Sequence, residues 1–92
     1  MSAQLQYSQN GRGGTITYQK ENIRLNFDWE FGGNNCVVII FVPTEAQWEQ
    51  TTGLPQSERL PVLEFVAQQV VRDQAPTCRY EISNPWIEIL HR

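Results

Sequence analysis

The sequence predicts an α+β fold, a mainly antiparallel sheet of about six strands in the order ββββ-α-α-ββ packed on one main helix, with a short helix after the fourth strand. Three observations carry that prediction. Residues 23–31 alternate strictly between apolar and polar side chains, residues 36–42 form an unbroken apolar run, and a single stretch of helical period falls between residues 61 and 72 with strand-like segments on both sides.

Taken in order, Leu5 and Tyr7 alternate with Gln4, Gln6 and Ser8, and Ile16 and Tyr18 alternate with Thr15, Thr17 and Gln19. The intervening Asn10-Gly11-Arg12-Gly13-Gly14 supplies residues that tolerate positive φ, so the two segments read as a β-hairpin. Ile23, Leu25, Phe27, Trp29 and Phe31 then occupy every odd position, with Arg24, Asn26, Asp28 and Glu30 between them. That period belongs to a long strand with one face in the core and one in water. After a turn at Gly32-Gly33-Asn34-Asn35, the run Cys36-Val37-Val38-Ile39-Ile40-Phe41-Val42 is apolar on both faces and rich in β-branched residues, the pattern of a central strand.

Pro43 ends this strand, and Thr44-Glu45-Ala46-Gln47 has the Thr-x-x-Gln form of a capping box, so a short helix carrying Trp48 is expected to begin there and to stop at Gly53. Pro61 suits the opening of a helix, which places the start of the main helix near residue 61. From there Leu63, Val66, Ala67, Val70 and Val71 form an apolar stripe flanked by Val62, with Glu64, Gln68 and Arg72 on the opposite face. Ala75-Pro76 ends the helix. Cys78, Tyr80 and Ile82 alternate with Arg79, Glu81 and Ser83 in a fifth strand, and Asn84-Pro85 turns the chain into a sixth over Trp86-Ile87-Glu88-Ile89-Leu90.

At 92 residues the chain is expected to form one domain spanning 1–92. Its mass implies about 5,500 Å² of accessible surface once folded. A hydrophobic fraction of 40% excludes an intrinsically disordered chain. The net charge is −3 and the basic residues Arg12, Lys20, Arg24, Arg59, Arg72, Arg79 and Arg92 are scattered, which argues against nucleic acid as a partner. No apolar stretch approaches bilayer-spanning length, and Met-Ser-Ala-Gln-Leu-Gln lacks the features of a signal peptide, so a cytoplasmic location is the expectation.

Cys36 and Cys78 match neither a zinc spacing nor a redox pair and read as reduced thiols. With His91 as the single histidine, no internal imidazole is present for a triad, a proton relay or a metal cluster, and no cofactor is expected. Gly11-Arg12-Gly13-Gly14 opens a strand rather than a helix and lacks the ending of a phosphate loop, so it reads as hairpin chemistry. Thr44, Trp48, Ser57 and Arg59 gather around the inter-helix turn, where they read as caps and packing anchors.

One mismatch points toward a partner. If Ile87 and Ile89 face the helix, then Trp86 and Leu90 project from the other side of the sheet, with one face of the 36–42 strand beside them, and one helix covers only one face. The expected function is a non-enzymatic interaction module of adaptor or immunity type that uses Trp86 and Leu90 and forms a homodimer or holds another protein. The alternative is a small enzyme or small-molecule binder built on a carboxylate/arginine cluster of Arg24, Asp28, Glu30 and Arg79, which would need Arg24 and Arg79 on neighbouring strands.

Overall fold

The computed structural model describes residues 3–92; Met1 and Ser2, where the segment read for targeting features begins, lie outside the described residues. Strands β1 (Gln4–Asn10), β2 (Gly13–Lys20), β3 (Ile23–Phe31) and β4 (Cys36–Phe41) precede the short helix α1 (Trp48–Thr52). A 3₁₀ turn (Gln56–Glu58) then leads into the main helix α2 (Arg59–Gln74), and β5 (Arg79–Ile82) and β6 (Trp86–Leu90) complete the fold. All six strands form one sheet in the order β1-β2-β3-β4-β6-β5, antiparallel throughout. The chain therefore leaves the middle of the sheet after β4, crosses by the two helices to the far edge, and returns inward so that β6 pairs with β4.

Local chemistry accounts for the boundaries. Gly11 takes the positive φ of the first hairpin at 68°, Asn34 does so before β4 at 56°, and Gly53 closes α1 at 76°. The β2–β3 turn uses Glu21 at φ 54°, which has no glycine to announce it. The capping box is half realised: Thr44 Oγ1 accepts from the Gln47 amide at 3.3 Å, but the residues up to Gln47 stay in turns and α1 begins only at Trp48. Helix α2 starts two residues before Pro61, at Arg59. Proline is tolerated there because the first turn of a helix needs no intrahelical N–H donor.

The core lies on a single face of the sheet. Ile16, Tyr18, Leu25, Phe27, Ile40, Ile87 and Ile89 meet Val62, Leu63, Val66, Ala67 and Val70 of α2 in one cluster, which Trp48 joins with no accessible surface. Helix α1 thus adds to the side already covered by α2 and leaves the second face alone. Strand β3 pairs with β4 only over Trp29–Phe31, although it pairs with β2 along eight positions. Both halves of the sheet feed the same core. On the polar side of α2, Gln68 is exposed and Glu64 half-buried, and both bond the Tyr80 hydroxyl, which ties α2 to β5. The accessible surface of 5820 Å² sits close to the value expected from mass for a compact chain.

Candidate functional site

The outer face of the sheet contains its own control. Across β1–β3 it carries Gln4, Gln6, Ser8, Thr15, Thr17, Gln19, Arg24, Asn26, Asp28 and Glu30, the polar surface expected of an antiparallel sheet facing water. Across β4 and β6 the same face carries Ile39, Phe41, Trp86 and Leu90, with Glu88 of β6 among them. Phe41 stands opposite Trp86 in register, with Ile39 one step along. Phe41 remains 39% exposed and Trp86 38%. No described element lies over them.

The charges around this strip are mostly acidic. Glu30, Ile39, Glu88 and Glu81 form one row across β3, β4, β6 and β5. Within that row Glu81 pairs with Arg79, whose Nη1 lies 2.6 Å from its carboxylate. Beyond Phe41, a shallow open depression is lined by Asp28, Glu30, Arg12 and the hairpin glycines.

The residues singled out from sequence fare unequally. Trp86 is exposed on the outer face as expected. Leu90 occupies the same face but is only 8% exposed, in register with Cys36 on one side and Arg79 on the other. The chain beyond it stays pinned, because the His91 amide donates to Asn35 O at 3.0 Å and Arg92 Nε to Cys78 O at 3.2 Å. Leu90 is therefore a packing residue of the outer layer. Phe41 takes its place beside Trp86.

The carboxylate/arginine cluster does not assemble. Arg24, Asp28 and Glu30 share β3, whereas Arg79 is on β5 with β4 and β6 between them. Three inter-strand spacings of ~4.8 Å set these strands about 14 Å apart. The cation that shares the depression with Asp28 and Glu30 is Arg12 from the hairpin loop, and both carboxylates are open to water. Among the described residues no group of three or more His, Cys, Asp or Glu side chains is placed to hold a metal ion.

Around the inter-helix turn, Arg59 is buried and donates from Nε to Pro43 O at 3.1 Å and from Nη2 to Asn84 O, joining the loop after β4 to the β5–β6 turn. Trp48 Nε1 donates to Pro55 O at 3.1 Å. Both are anchors. Cys36 and Cys78 are free thiols, and burial pushes the Cys36 thiol above its ordinary range.

A second apolar feature lies on the core face, where the last turn of α2 leaves the sheet. There Tyr7, Trp29, Phe31, Val38, Val70 and Ala75 line a half-open cleft of about 360 Å³. Trp29 and Phe31 meet edge to face with ring centroids 5.1 Å apart, and Phe31 is 44% exposed at the rim. The alternation of β3 assigns Trp29 to the core side but gives no sign that the core stops short of filling the space beside it.

Among the described residues, no helix is long and apolar enough to cross a membrane. Comparison with known protein families, curated proteins and solved structures finds no match to this chain.

Proposed function

We propose that this protein is a non-catalytic interaction module that associates with a second copy of itself through the β4/β6 strip of its outer sheet face. The observation that supports this is the pairing of exposed Phe41 and Trp86 on adjacent strands, in a face whose other half is uniformly polar. An apolar centre with a charged rim is the usual anatomy of a protein interface. A two-fold axis parallel to the strands and midway between β4 and β6 sets Phe41 of one copy over Trp86 of the other, so the strip is complementary to itself. The acidic row opposes such stacking at low ionic strength, and screening relieves it.

Light scattering across a dilution series at low and high salt tests this proposal. The wild type is expected to be a dimer that tightens as salt is added, and Phe41→Gln and Trp86→Gln are each expected to be monomers with unchanged circular dichroism. A wild type that stays monomeric throughout, or variants that dimerise as it does, would overturn it.

A further inference from the structure

We infer that the cleft beside Trp29 is a binding site for a small, uncharged aromatic molecule, separate from the outer face. Its size sets the first limit. An apolar cavity of ~150 Å³ accepts benzene, and this cleft measures about 360 Å³. It has room for a fused two-ring compound and falls at the lower end of the range of ~300–1,000 Å³ typical of small-molecule sites.

Polarity sets the second limit, because most polar groups at the cleft are already engaged. The Tyr7 hydroxyl donates to Asp73 Oδ2 at 2.9 Å, the Trp29 indole N–H to Ser8 O at 3.0 Å, and the Ser8 hydroxyl to Thr15 O at 3.4 Å. Gln9 Nε2 is directed at Gly11 O at 3.2 Å. What remains are the side-chain amide of Gln74 and the side-chain oxygen of Gln9. No Lys or Arg lines the cleft, and Asp73 stands behind Tyr7, so an anion would enter without a counter-charge and near a carboxylate. The favoured ligand is held by its apolar faces and edges and carries at most one neutral polar substituent, directed toward the Gln74 or Gln9 side chain.

The third consideration is shape. Trp29 and Phe31 stand nearly perpendicular, with an interplanar angle of 82°, and present two aromatic walls at right angles. A flat ring set against one wall meets the other edge-on, the geometry that aromatic pairs favour. The bond from the Trp29 indole to the β1 backbone holds this wall in place before any ligand arrives.

Naphthol is a suitable probe, followed by isothermal titration calorimetry and by tryptophan fluorescence on the intact chain. Saturable one-site binding is expected. Ala75→Phe, which fills the cleft from the end of α2, is expected to weaken it at least tenfold, and naphthoate to bind at least tenfold more weakly than naphthol. Should Ala75→Phe fail to fold by circular dichroism, Val37→Phe fills the same space from the sheet side. Gln6→Ala, on the opposite face and outside the Phe41/Trp86 strip, should bind naphthol as the wild type does.

Absence of saturable binding, equal binding by a folded cleft-filling variant, or preference for the carboxylate would overturn the assignment. So would an equal loss of binding in Gln6→Ala. Dissociation of dimers by naphthol with the outer face intact would equally overturn it, since the occupant would then be a side chain of a second copy.

Discussion

Gly14 is the position where one added methyl group has the largest consequence. A Cβ built there would sit 1.9 Å from Ser8 O, 2.8 Å from Ser8 C and 2.9 Å from Gln9 Cα, all of them backbone atoms of the neighbouring strand. Real Cβ contacts essentially never fall below 3.0 Å, so β1 would have to retreat by at least about 1.1 Å. A shift of that size strains the Gln9–Gly14 pairing and pulls Ser8 O away from the Trp29 indole. Overpacking costs about 1–3 kcal/mol and the lost indole hydrogen bond about 1 kcal/mol, so Gly14→Ala is expected to cost about 2–4 kcal/mol. That is a large part of the ~5–15 kcal/mol that holds a domain folded. Urea unfolding followed by far-UV circular dichroism measures the loss. Gly33→Ala is the control, because its φ is not positive and nothing lies within 4 Å of its Cβ position; it should change stability by no more than about 0.5 kcal/mol. A Gly14→Ala protein within about 1 kcal/mol of wild type would show that β1 yields freely, and would refute the account of Trp29 as a wall fixed to β1.

The other expectations concern residues whose role is set by a few contacts. Arg59→Met leaves Pro43 O and Asn84 O without their donor and is expected to cost about 3 kcal/mol in the same urea assay, with little recovery in Arg59→Lys, which lacks the guanidinium fork; a loss below about 1 kcal/mol would remove Arg59 as the clasp between those loops. Leu90→Ala should cost about 2–3 kcal/mol and Trp86→Ala less than half of that, because only Leu90 is buried; equal losses would contradict the assignment of Trp86 as the exposed partner. Desolvation, together with the bond to and charge of Asp73, holds the Tyr7 hydroxyl above its ordinary pKa of 10.0. The folded state therefore keeps that proton longer than the unfolded chain, so its stabilisation is complete below about pH 10 and is lost as pH rises toward the folded value. Tyr7→Phe should flatten the alkaline fall in thermal stability, and an unchanged slope would mean that Tyr7 does not carry it. Asp28→Asn with Glu30→Gln should move stability by no more than about 0.5 kcal/mol, as solvated charges do; a larger loss would show that the depression beside Arg12 holds them tightly.

Much of this fold is legible in the chain because periodicity is local. The alternation over Ile23–Phe31 marks β3 to the residue, Trp86–Leu90 marks β6, and the stripe Val62, Leu63, Val66, Ala67, Val70 names the buried side of α2. The same alternation says on which side of its own strand a residue points, and so places Trp86 away from the core. It is silent about neighbours across the sheet, which depend on pairing between segments far apart in sequence. Only the return of β6 alongside β4 sets Phe41 next to Trp86, and that insertion also separates Arg24 from Arg79 and closes Leu90 between Cys36 and Arg79. The register shift between Cys36 and Val38, where Val37 breaks the pairing and lines the cleft, has no turn residue to signal it. The cleft itself exists because α2 ends, at Ala75-Pro76, before the sheet does. Side-chain direction and helix length follow from near neighbours along the chain; empty space and exposed adjacency arise only once distant elements have packed, and both proposed binding surfaces are of that second kind.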